Sequence, residues 1–143
     1  MTSIRQILAG KPDVYSIEPG ATVFEALRQM EERNVGALLV MKDGRLAGIF
    51  SERDYARRMI LHGRSSRETA VHEVMTEDVF VIALDATAAE CMVHMTDRHI
   101  RHLPVIEAGR VVGVISVGDV MKAVIEDLRF SIHQLESYIR SGG

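Results

Sequence analysis

The chain has 143 residues, 47% of them apolar and 26% charged, with a net charge of −3. That balance fits a folded unit with its own core and excludes disorder, and the missing basic excess argues against a nucleic-acid partner. No apolar run nears the roughly 20 residues of a membrane span, the N-terminus has no signal-peptide core, and the single cysteine leaves no internal disulfide, so a cytoplasmic protein without membrane contact is expected.

In chain order, Ile4, Ile7 and Leu8 predict a short helix inside a lead-in over residues 1–13. VYSI (14–17) is β-rich and is followed by Thr22 and Glu25, whose T-x-x-E spacing predicts a capping box at the start of a helix. Val23, Leu27 and Met30 supply that helix with one apolar face. ALLVM and RLAGIF then read as strands joined by a two-residue turn at Asp43-Gly44, and Ser51 opens another helix that ends near residue 62. A polar segment containing GRSSRET, with a short helix, occupies residues 63–78. The same order returns over 79–126: VFVI, Thr87 with Glu90, a helix through Cys91, Met92 and Met95, and the strands LPVI and RVVGVIS, which turn at Glu107-Ala108-Gly109. Ser116 starts a final helix, which the spacing carries into an extension over 127–143.

This return is a duplication. Setting Val14 against Val79 gives an offset of 65 residues that holds without a gap to Asp54 and Asp119. Ile17 meets Ile82, Ala21-Thr22 meets Ala86-Thr87, Met30 meets Met95, Val40 meets Val105 and Gly48 meets Gly113. The fold class is therefore α/β (α+β), as two β-α-β-β-α copies packed about a pseudo-twofold axis with a long C-terminal helix. Cys91 stands opposite Ala26 and reads as a small core residue, not a nucleophile.

The pattern Gly, two apolar residues, Ser, two variable residues and Asp occurs twice, as GIFSERD (48–54) and GVISVGD (113–119). Ser51 with Asp54, and Ser116 with Asp119, fit helix N-caps with an acid in the first turn. The same geometry can also hold an anion on free N–H groups, while the carboxylate accepts from a ribose diol. Both readings stand on the residues alone.

The chain resembles the tandem cystathionine β-synthase (CBS) domain pair, or Bateman module. The resemblance rests on GIFSERDYARRM, VHEVMT, DRHIRHLPVIEAGRVVGVISVGDVMKAV and the repeat, over about Val14 to Ile125. It implies a regulatory, non-catalytic module whose cleft between the copies binds an adenosine-containing ligand: AMP, ADP, ATP, NAD(H) or S-adenosylmethionine. Asp54 and Asp119 are then the ribose-binding residues. Ser51, Arg53, Ser116, Arg101 and His102 are candidates for phosphate, and Tyr15, Ile17, Phe80 and Ile82 for the walls of the base pocket. Arg101-His102 replaces Gly36-Ala37 of the first copy, and Gly118 replaces Arg53, so two unequal half-sites are expected. Asp54 and Arg58, four apart, can also form a surface ion pair.

His94, His99 and His102 do not share one helical face, and no metal-binding or nucleophile motif accompanies them, so neither a metal site nor an enzyme is expected. Met121, Ile125, Leu128, Ile132, Leu135 and Ile139 follow 4-3-4-3-4 spacing, a heptad seam for the chain's own surface or for the same helix of a second subunit, and the resemblance, to modules that commonly pair, implies a homodimer to which this helix contributes. A module of this kind acts on a target protein that the residues do not name. The competing reading is a ligand-free interaction scaffold that works through this helix.

Overall fold

The computed structural model describes residues 1–11 and 14–142; Asp13, where the expected lead-in ends, lies outside the described residues, as do Pro12 and Gly143. The chain divides into two compact units, residues 13–80 and residues 1–12 with 81–143.

In the first unit, β2 (Ala37–Lys42) and β3 (Arg45–Ser51) form a hairpin, and β1 (Ser16–Ile17) adds in parallel to β2. Asp43 and Gly44 both take positive φ, 50° and 76°, the backbone that a two-residue turn needs to match strand twist. Helix α2 (Val23–Arg33) starts where the Thr22 hydroxyl accepts from the Glu25 N–H. The reciprocal bond expected of a capping box forms neither here nor at Thr87: Glu25 and Glu90 give their N–H to the cap hydroxyl, but their carboxylates do not return to the cap N–H. Val23, Ala26 and Met30 recur at helical spacing and bury against Leu38, Val40 and Phe50. Helix α3 (Glu52–Arg58) adds Met59 at its end, and the 3-10 turn at Val71–Glu73 adds Val71, Val74 and Met75 to the same cluster.

The second unit repeats this plan with β4 (Ile82–Ala83), α4 (Ala88–Arg98), β5 (His102–Glu107) and β6 (Arg110–Ser116). Its turn is Ala108-Gly109 alone, with φ of 52° and 78°; Glu107 pairs with Arg110 and belongs to the strand, so the expected three-residue turn is one residue too long. Pro104 has no N–H to give, and the pairing of β4 with β5 begins one residue later than that of β1 with β2. Ala88, Cys91 and Met95 are buried, and desolvation pushes the Cys91 thiol up to about 11. Cys91 is thus the core residue that its place opposite Ala26 predicts.

Helix α5 (Val117–Gly142) is continuous across residue 126 and rests on the unit through Val120 and Ala123. Past residue 127 every described position is exposed, so the seam does not cover the chain's own surface, one of the two roles the spacing allows. Helix α1 (Ile4–Ala9) packs on β6 and α5. Thr2 ties it there, donating from its N–H and hydroxyl to the two Asp127 oxygens at 2.9 and 2.7 Å.

The two lead-ins exchange places. Residues 1–11 precede the first copy yet belong to the second unit, while residues 70–76 precede the second copy yet belong to the first. Their backbones dock alike: Ile4 donates to the Ala86 carbonyl at 2.9 Å, and Val71 to that of Ala21 at 2.8 Å. Ile4 and Val71 are both fully buried.

Candidate functional site

Both Ser-x-x-Asp motifs lie where a strand passes into a helix. At the first, Ser51 is extended, at φ −125° and ψ 167°, and caps α3. Its N–H and hydroxyl donate to one Asp54 oxygen at 2.9 and 3.1 Å, and its hydroxyl accepts from the Asp54 N–H at 3.2 Å. Here the full capping box forms. The other Asp54 oxygen accepts from the Thr76 hydroxyl at 3.1 Å, and the residue is only 7% exposed.

The second junction has the same frame with a different partner. Ser116 donates its N–H to Asp119 at 2.9 Å and its hydroxyl accepts from the Asp119 N–H at 3.2 Å. The acid then meets Lys11, whose ammonium donates to it at 2.5 Å and to the Val114 carbonyl at 3.0 Å. Burial acts to raise the Asp119 carboxyl, but the Lys11 and Ser116 bonds outweigh it and hold the group below its ordinary value. His102, half-buried at the start of β5, is shifted down by burial, then by the Lys11 charge and more weakly by Arg101, against the pull of Asp119. A histidine held below its ordinary value favours the neutral imidazole at pH 7, which offers a hydrogen-bond donor and not a cation. One unit thus gathers Lys11, Arg101, His102, Ser116 and Asp119.

Lys11 and Thr76 were not visible as site residues. They are one register offset of 65 apart, but one is a cation and the other a hydroxyl, and both precede the first matched pair, Val14 and Val79. Each acid meets the lead-in of the other copy, 22 residues away for Asp54 and 108 for Asp119.

The same exchange explains the motif's leading glycine. A Cβ on Gly48 would stand 2.7 Å from the Thr76 carbonyl oxygen and 2.8 Å from the Met75 sulfur. A Cβ on Gly113 would stand 2.6 Å from a Leu8 methyl. Each glycine therefore makes room for a lead-in crossing its strand. Gly118 differs: an added Cβ would meet only the Ser116 hydroxyl, at 3.8 Å, so nothing among the described residues requires a glycine there.

The arginines after the first motif are largely engaged in structure. Arg58 donates to the Val74 and Met75 carbonyls at 3.2 and 2.6 Å, while its approach to Asp54 is 3.9 Å. It brackets the end of the 3-10 turn more than it pairs the acid. Arg64 pairs with Glu73 at 2.7 Å, and Arg67 lies 3.9 Å above the Phe24 ring. Arg57 is exposed and Arg53 half-buried. Of the base-pocket candidates, Tyr15 and Ile17 pack against the first unit's core, with Arg33 4.7 Å over the Tyr15 ring. Ile82 is buried in the second unit, and Phe80 is partly exposed at the end of the first.

The chain matches the CBS domain family model twice, over residues 4–61 and 71–126. These spans start at Ile4 and Val71, the two buried residues by which the lead-ins dock. It is 42% identical over 126 residues to the mitochondrial CBS domain-containing protein CBSX3 of Arabidopsis thaliana, covering 85% of this chain and 61% of that protein's length. Among solved structures, a protein with CBS domains from Burkholderia ambifaria MC40-6 superposes with a TM-score of 0.84 at 42% identity, over 88% of this chain and 96% of the other. The CBS domain pair of protein MJ0100, in complex with 5′-methylthioadenosine and S-adenosyl-L-methionine, shares the fold at a TM-score of 0.77 and 22% identity, over 89% and 98% of the two chains. Two family matches, two sheets of one topology and two strand-to-helix acids lead to one conclusion: the chain belongs to the CBS domain family and carries the domain twice, in tandem.

Proposed function

We propose that this tandem CBS pair is a regulatory module that binds an adenine nucleotide, of the AMP, ADP, ATP or NAD(H) class, and relays its presence to a target protein. The observation that carries the reading is the group around Asp119, where an acid at a helix start pairs with Lys11 and acts on His102, the neighbour of Arg101. A bare structural cap needs no such neighbours. An adenosine ligand at the MJ0100 pair supports the chemical class.

Lys11 and a ribose diol compete for the same oxygens. Ligand that takes Asp119 releases the ammonium, which then faces the ligand's phosphates together with Arg101, and the guanidinium fork suits an anion. The lead-in carrying Lys11 changes its restraint as the site fills. Nucleotide shifts the population between the two arrangements by its differential affinity for them and no further. At Asp54 the competitor is a neutral hydroxyl, so the half-sites differ in affinity. Gly118, which no neighbour among the described residues requires to be glycine, leaves the backbone of the second helix start open to ligand.

The second reading, a ligand-free interaction scaffold, draws on the exposed apolar stripe of α5. Calorimetric titration of AMP, ADP, ATP, NAD, NADH and S-adenosylmethionine into protein stripped of bound ligand separates the two. Saturable binding that Asp119→Ala abolishes, and that Asp54→Ala abolishes or weakens, is the expected result. Binding indifferent to both substitutions moves the site elsewhere, and a folded protein that binds none of the six favours the scaffold.

A further inference from the structure

Helix α5 has two apolar faces and uses only one of them. Val120 and Ala123 lie on the unit's own body, with Asp127 next on that face, held by Thr2. The heptad seam lies on another face and is open along its whole length. Even where the helix is docked, Met121 and Ile125 are 47% and 43% exposed; beyond, Leu128, Ile132, Leu135 and Ile139 are 55–68% exposed. At 1.5 Å per residue the helix is about 39 Å long, so its distal half extends past anything in its own unit that could cover it.

The seam's composition selects its occupant. With Ile125, Ile132 and Ile139 at a, the d positions are Met121, Leu128 and Leu135, and no a or d position is charged or polar. Isoleucine at a with leucine at d is the combination that favours two parallel strands, since each branched side chain then fits the hole facing it. The flanks agree. Across a parallel pair Val124 faces Arg129 and Ser131 faces Glu136, so no like charges meet. An antiparallel pair in the same six layers brings Arg129 close to its own copy across the axis. Six side chains, each 43–68% exposed, with their flanks approach the roughly 800 Å² per partner of a standard stable interface. Seam and docked face do not compete, so the helix can pair without leaving its unit.

We infer that α5 pairs with α5 of a second copy as a parallel two-stranded coiled coil, making the protein a homodimer through its C-terminal helix whether or not nucleotide is bound. The test is sedimentation equilibrium of the full chain, with Ile132→Glu/Leu135→Glu on the seam and Phe130→Glu, equally exposed but off it, as the control. The expected masses are twice 15.9 kDa for the parent and for Phe130→Glu, and 15.9 kDa for the seam variant with unchanged circular dichroism outside the helix loss. Gly142→Cys continues the d series and reads direction: in a parallel pair it forms a disulfide within the dimer on mild oxidation, and buried Cys91 does not compete. A monomeric parent, or a dimer that survives the seam variant, overturns the interface. A dimer broken by the seam variant that does not cross-link at position 142 overturns the parallel arrangement.

Discussion

Replacing either motif glycine by alanine tests whether the lead-ins cross the strands as described, and the two copies should respond unequally. In Gly48→Ala the new methyl meets a backbone oxygen, that of Thr76 at 2.7 Å, and the Met75 sulfur at 2.8 Å. That carbonyl accepts from the Ile49 N–H at 3.0 Å, and the Thr76 N–H donates back to Ile49 at 2.9 Å, so the strand crossing cannot move without straining both bonds. Overpacking a tight site costs about 1–3 kcal/mol and each weakened hydrogen bond about 1 kcal/mol. Stiffening the unfolded chain returns about 0.4–1 kcal/mol. The net expectation is a loss of about 2–4 kcal/mol. In Gly113→Ala the obstacle is the far end of the Leu8 side chain, which can rotate, so the loss is about 1 kcal/mol or less. Urea unfolding followed by circular dichroism reads both at constant m. Equal losses, or a larger loss at Gly113, would refute the assignment of Thr76 and Leu8 to these crossings.

Three further outcomes follow from the second unit's electrostatics and core. Lys11→Met removes the charge that holds Asp119 down, so the Asp119 carboxyl, followed by carbon-13 NMR titration, should titrate at higher pH in the variant. In the parent the Asp119 contribution is present above its unfolded value and fades as pH falls through the lower folded one, so Lys11→Met should flatten stability on the acid side. His102 should titrate below the ordinary histidine range by proton NMR; because the unfolded chain takes the proton first, its share of stability is lost as pH falls from the unfolded value to the folded one. Cys91, buried with its thiol pushed up to about 11, should ignore Ellman's reagent at pH 8 in the native protein and react at once in urea.

What the sequence determined by itself was whatever depends on near neighbours. Asp43-Gly44 announced a turn, since positive φ at both residues is a local demand; Ser51 and Asp54 announced a capped helix, since cap and acid are three residues apart. The 65-residue register announced two copies of one unit, and the 4-3-4-3-4 spacing a seam. Glu107 misled in detail because a strand ends where its pairing across the turn ends, and Glu107 still pairs with Arg110. Tertiary structure alone decided what each acid meets. The motif spells Asp54 and Asp119 identically, yet one receives a hydroxyl and the other an ammonium, because each lead-in docks on the copy it does not precede. It also decided that the glycines stand beneath crossing chains and that the seam of α5 faces outward, away from Val120 and Ala123. These are contacts between residues far apart in the chain, made by burying Ile4 and Val71, and no period or local spacing encodes them.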